Sequence, residues 1–169
     1  MVQHDTQRRG FTIVELLIVI VVIGILAAIT VVAYNGIQNR ANNTAVQSDL
    51  RTIAQQMAIY RVDNGTYPER FAKLTAMKLK FTKSAYAQVP LQTMNVTFCL
   101  NSDASQYILY AYSKSNQLYK IDWTNQVQAI PTANISSCGD VAGFNRRDVD
   151  SVNIDAGYYN GDWRPWANN

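Results

Sequence analysis

The sequence predicts an α+β protein: one long N-terminal helix, apolar in its first half and amphipathic in its second, packed against a small antiparallel β-meander. Three observations predict it. Residues 11–33 hold 19 apolar side chains and one charge, Glu15. Val46, Leu50, Ile53, Met57 and Tyr60 then recur at spacings of four, three, four and three, which is one stripe of a helix. Beyond Pro90 the pattern changes to short runs rich in Tyr, Ile, Val and Phe, separated by turn residues.

The chain has 169 residues, 48% hydrophobic and 16% charged, with net charge +3. That length suits one ordinary domain with a sizeable core. Removing the apolar run leaves a remainder that is roughly 42% hydrophobic, near the soluble norm. A single histidine, His4, leaves no His-based catalytic pair or His-rich metal cage. No nucleophile with a base, metal cluster or phosphate loop appears, so an enzyme is not expected.

As a helix, residues 11–33 rise about 34 Å, against roughly 30 Å for a bilayer's hydrocarbon core. Arg8 and Arg9 precede the run with Asp5 the only nearby acid, which keeps residues 1–10 cytoplasmic and sends the rest outward. Three other readings compete with a bitopic one. A cleaved secretory signal would have a shorter core and an A-x-A-like site, but this run continues past Ala27-Ala28. A twin-arginine signal fits Arg8-Arg9 but not the very hydrophobic run with Glu15 inside it. A plain anchor gives no reason to keep an acid whose burial near mid-bilayer costs on the order of 2.5–3.5 kcal/mol. Glu15 therefore calls for a partner, and the segment contains no basic side chain. Cutting after Gly10 would free the amine of Phe11, which in a bundle of identical helices meets the carboxylate of an axially shifted neighbour.

The residues Arg8 to Ile20, R-R-G-F-T-I-V-E-L-L-I-V-I, resemble the N-terminal signature of type IV pilins and pseudopilins. The resemblance implies a pilin-like fold in which a prepilin peptidase cuts after Gly10 and the new terminus, Phe11, is N-methylated. It implies Glu15 as the assembly glutamate. Many family members carry a proline in the second half of the apolar helix; here Val31-Val32 stand there and no proline precedes Pro68. Gly24 and Gly36 are then the weak points of the rod.

The amphipathic stripe is read as a core contact. Asp63-Asn64-Gly65 supplies a stop and Tyr67-Pro68 prevents continuation. One helix over residues 11–62 is about 78 Å long, too long for a domain this small to bury, so neighbouring copies are expected to cover the exposed half. The segment Y-R-V-D-N-G-T-Y-P from Tyr60 to Pro68 also resembles the helix-ending Y-x-x-D-N-G-x-Y-P of pseudopilins and many pilins. The expected divisions are a leader (1–10), a transmembrane and filament-core helix (11–33), its amphipathic continuation (34–64) and a headpiece with a C-terminal tail (65–169).

Residues 69–90 read as a connection containing a short helix. Strands are expected at 95–100, 106–112, 117–123 and 126–130, joined by hairpin-length turns, with one face on the amphipathic half of the helix. Cys99 lies in the first and Cys138 follows the last. An even pair outside the membrane reads as a disulfide, with free buried thiols as the alternative. A loop of that size contributes roughly 4 kcal/mol in the chain-entropy model. The resemblance implies a bridge pinning the C-terminal region to the sheet.

The tail run Asp148 to Asp155, D-V-D-S-V-N-I-D, has some of the spacing of a calcium loop. It puts Val152 where a third oxygen ligand belongs and has no glycine after it, so a solvated acidic loop and no cofactor are expected, with calcium as the alternative. The tail's aromatic end, residues 157–163, either packs over the sheet or faces a partner. Residues 40–83 carry eight basic and three acidic side chains, and residues 84–169 five and seven. Copies of the chain are the expected partner, meeting positive flank to negative flank. The rival use is DNA capture. Four N-x-S/T sequons, at Asn42, Asn64, Asn95 and Asn134, are weak signals for glycosylation.

The resemblance implies a structural subunit of a type IV pilus, held in membrane lipid before assembly, polymerised through its N-terminal helix with other pilins at an inner-membrane assembly platform, and displayed at the cell surface afterwards. Adhesion, twitching motility or DNA uptake would follow from the fibre. A type II secretion pseudopilin and a minor or competence pilin that binds DNA are the alternatives.

Overall fold

The computed structural model describes residues 11–87, 95–101, 103–131, 138, 158–159 and 162–163. Its contacts divide the chain into two compact units, Met1–Gln38 and Asn39–Asn169. The helix α1 (Ile13–Asn64) runs through both without a break in helical structure.

In the first unit, α1 is exposed on every face. Eighteen large apolar side chains from Phe11 to Ile37 are uncovered, from 48% exposure at Val22 to 83% at Ile13. Burying a Val, Leu, Ile or Phe side chain contributes about 1.5–3 kcal/mol, so this surface carries a drive of tens of kcal/mol towards any apolar environment. Around Gly24 and Gly36 no other group lies within 4 Å of where a side chain would begin.

In the second unit, the expected stripe is the core face. Val46, Leu50, Ile53 and Met57 are fully buried, joined by Ala54, while Tyr60 is only half-buried. The helix ends at Asn64, where Gly65 adopts a φ of 79° and its N–H donates to the Arg61 carbonyl at 2.8 Å. That is the left-handed C-terminal cap for which glycine is suited. The connection holds α2 (Phe71–Ala76) and one 3-10 turn, Lys83–Ala85.

The meander is β1 (Val96–Leu100), β2 (Tyr107–Tyr112), β3 (Leu118–Asp122) and β4 (Gln128–Ile130), antiparallel throughout in the order β1-β2-β3-β4. Phe98, Leu109, Ala111 and Ile121 join the α1 stripe in one core. The β1 residues are buried on both faces. The second face carries a smaller cluster of Cys99, Ile108, Tyr110, Leu118 and Cys138. A further pairing of β5 (Tyr158–Tyr159) with β6 (Asp162–Trp163) lies in the tail, and the Trp163 ring lies 5.9 Å from Phe81 and 5.7 Å from Tyr86, centroid to centroid.

One polar cluster ties the connection to α1. Asp49 accepts the Thr82 N–H at 2.6 Å, the Thr82 hydroxyl at 3.0 Å and the Tyr86 hydroxyl at 3.0 Å. Burial and then the nearby Asp49 charge push the Tyr86 phenol well above its usual value of 10.0. Burial raises Tyr107 and Tyr110 likewise.

These phenols keep their protons in the folded state where an unfolded chain has released them. The stability they contribute is complete below the unfolded value and declines as pH rises through the folded ones. The denaturant midpoint should therefore fall steeply between about pH 9 and about pH 12, and less steeply in Tyr86→Phe/Tyr107→Phe. A midpoint with the same alkaline slope in both proteins would contradict this role.

A candidate assembly site at the head of the long helix

The first turn of α1 is built by two polar residues in an otherwise apolar run. Helical structure begins at Ile13, two residues later than the apolar pattern alone places it. The reason is Thr12, whose hydroxyl accepts the Glu15 N–H at 3.2 Å and donates to Glu15 Oε2 at 2.8 Å. Oε2 also accepts the Thr12 N–H at 2.8 Å. Side chain and backbone thus satisfy each other reciprocally, the capping-box arrangement that closes a helix start. The first main-chain bond, from Leu16 N–H to the Thr12 carbonyl, measures 3.3 Å.

This alters the account of Glu15. The acid has donors within its own turn, and its negative charge sits where the helix dipole favours it. The sequence carries the signal as Thr-x-x-Glu at residues 12–15, which supplies local donors where the apolar run contains no basic side chain. Only Oε2 is engaged; among the described residues no donor bonds Oε1. The site therefore has a carboxylate fixed in direction with one oxygen available, beside a Phe11 ring that is 81% exposed. Gly10 lies outside the described residues.

The two cysteines are brought together as a disulfide, Cys99–Cys138, with 5.4 Å between their Cα atoms. It crosses from the middle of β1 to the chain beyond β4 and fills the second-face cluster with Ile108 and Leu118. Of the sequons, Asn95 is fully buried, and Asn64 donates its side-chain amide to the Tyr60 carbonyl at 2.9 Å. Asn134 and the run from Asp148 to Asp155 lie outside the described residues. Among the described residues no group of three or more His, Cys, Asp or Glu is placed to hold a metal. Arg51, Lys73, Lys78 and Lys80 are exposed. Among the described residues one helix is long and apolar enough to cross a membrane, and none of its apolar window is buried in the chain.

Comparison with known proteins bears on both units. A family model described as the prokaryotic N-terminal methylation motif matches residues 5–31. The model for type II secretion system protein G matches residues 33–117, half of the chain. The chain is 35% identical over 104 residues to the type IV wide pilus major component PilA4 of Thermus thermophilus, covering 61% of this chain and 72% of that protein. It is 36% identical over 76 residues to type II secretion system core protein G of Pseudomonas aeruginosa, covering 45% of this chain and 54% of that protein. With the Dickeya chrysanthemi protein of the same name it shares 33% over 78 residues, covering 46% and 51% respectively. The chain thus spans about half the length of the secretion proteins it matches.

Losing a helix N-cap costs about 0.5–2 kcal/mol. In detergent micelles Thr12→Val should accordingly speed hydrogen exchange of the Glu15 amide by about two- to thirty-fold, with residues beyond Gly24 unaffected. Unchanged exchange at Glu15 would show that the capping box does not hold the first turn.

Proposed function

The chain belongs to the type IV pilin and pseudopilin family, whose members assemble into filaments with other pilins, and on that premise we propose that it is the structural subunit of a type IV pilus. In this reading a prepilin peptidase removes residues 1–10 by cutting after Gly10, Phe11 becomes the N-methylated terminus, and the subunit waits in the membrane through residues 11–33 before assembly. It has no catalytic role and needs no cofactor. The observation that carries the reading is the fully exposed apolar half of α1 headed by a fixed carboxylate. Lipid covers such a surface before assembly, and identical helices cover it afterwards.

The processed amine of one subunit and Oε1 of Glu15 in a neighbour supply opposite charges where both would be costly alone. Because the capping box holds Oε2, the carboxylate reaches an incoming amine without reorganising. This sets axial register between subunits, while the apolar side chains supply the affinity. Adhesion, twitching motility or DNA uptake would be properties of the fibre surface built from residues 39–169.

A secretion pseudopilin is the second reading, favoured by the protein G model over residues 33–117. A minor or competence pilin that takes up DNA through the exposed lysines is a third. The longer match to the Thermus pilin, 61% of the chain against 45% for the Pseudomonas secretion protein, inclines the account to a pilus subunit.

Sheared surface fibres should contain a subunit whose N-terminal peptide begins at Phe11 with one added methyl; a subunit beginning at Met1 or near Ala28 would contradict it. Glu15→Ala should insert in the membrane normally and yield few or no fibres. Normal fibre yield in that variant would remove the assembly role of the acid.

A further inference from the structure

The last two turns of α1 form one wall of a small open cleft. Gln56, Ile59, Tyr60 and Asp63, spaced three, one and three, share one face of the helix, and Met77, just past α2, closes the other side. The cleft holds about 220 Å³, below the roughly 300 Å³ at which small-molecule sites begin. It suits a single long side chain. Its floor and rim are apolar or aromatic, with Ile59 62% exposed.

Two acceptors among the lining residues lack donors. The Gln56 Oε1 atom is buried and has no hydrogen-bond partner. Among the described residues the Asp63 carboxylate has no hydrogen-bond or ion-pair partner either. Asp63 also stands in the last turn of α1, where the helix dipole disfavours an acid, so its charge does not serve the helix. A lysine from outside meets the accessible features: an apolar stem for Ile59 and Met77, and a cation for the Tyr60 ring and the Asp63 carboxylate.

We propose that this cleft receives a lysine side chain from a second copy of the chain, an inference that rests on the filament reading above. Charge complementarity selects that occupant. Residues 39–131 carry ten basic and five acidic side chains, and Arg51, Lys73, Lys78, Lys80 and Lys114 are exposed. Among the described residues Asp63 stands unpaired on a largely basic surface, so each copy presents both halves of the contact. A contact between two different patches of the same chain repeats along an open helical array, and it would fix the rotation of one head against the next.

Zero-length carbodiimide coupling of isolated fibres tests this, because it joins a carboxylate only to an amine already in contact. The expected result is a ladder of covalent multimers on a denaturing gel, with mass spectrometry placing Asp63 against a lysine of another subunit. In Asp63→Asn fibres that cross-linked peptide should fall to background, and Asp63→Glu should restore it. Fibres that form normally while Asp63 couples to nothing, to its own chain or to a different protein would overturn the inference and leave the filament reading standing. Failure of the wild-type chain to form fibres would overturn both.

Discussion

Everything in this molecule follows from an apolar surface that the chain makes no attempt to cover. Eighteen large hydrophobic side chains from Phe11 to Ile37 stand exposed on a continuous helix. No arrangement of so small a headpiece could enclose them, and at about 1.5–3 kcal/mol each their combined drive exceeds the net stability of a typical domain several-fold. Such a segment must exchange one apolar environment for another. A bilayer and a bundle of like helices are two environments of similar polarity, so transfer between them costs little in solvation and is decided by packing and by the few polar groups present.

That places unusual weight on the first turn. A carboxylate in an apolar run is expensive unless its lone pairs are occupied, and Thr12 occupies one oxygen with two bonds of 2.8 Å. The other oxygen remains for a partner. In the proposed filament this partial satisfaction would let Glu15 act as a register device: enough local support to make the acid tolerable in lipid, and enough residual demand to prefer one axial position of a neighbour. The headpiece is stabilised by separate means, with a stripe of α1 against β1 to β3, the Asp49 cluster holding the connection, and Cys99–Cys138 closing the second face.

Much of this was legible in the sequence because it depends on periodicity and punctuation. The stripe from Val46 to Met57, the stop at Asp63-Asn64-Gly65 and four strands within two residues of their observed ends all follow from local pattern. The paired cysteines followed from their number and compartment. What escaped depends on contacts distant in sequence or on competing readings of one residue. Asp49 gives no local sign that it will accept bonds from Thr82 and Tyr86, 33 and 37 residues away. The two-sided burial of β1 contradicts simple alternation because the chain returns through Cys138 to cover the second face. The half-exposure of Tyr60, the last member of the stripe, reflects its place on the wall of the open cleft rather than in the core.

In the proposed filament the apolar half of α1 is covered by copies of itself. Electron cryomicroscopy of fibres carrying this subunit tests it most directly. The expected result is a fibre whose axis is filled by bundled helices of residues 11–33, with Glu15 of one subunit beside the Phe11 amine of another and residues 39–169 outside. Fibres in which those helices lie apart, or in which the apolar segment is absent from the mature subunit, would contradict it.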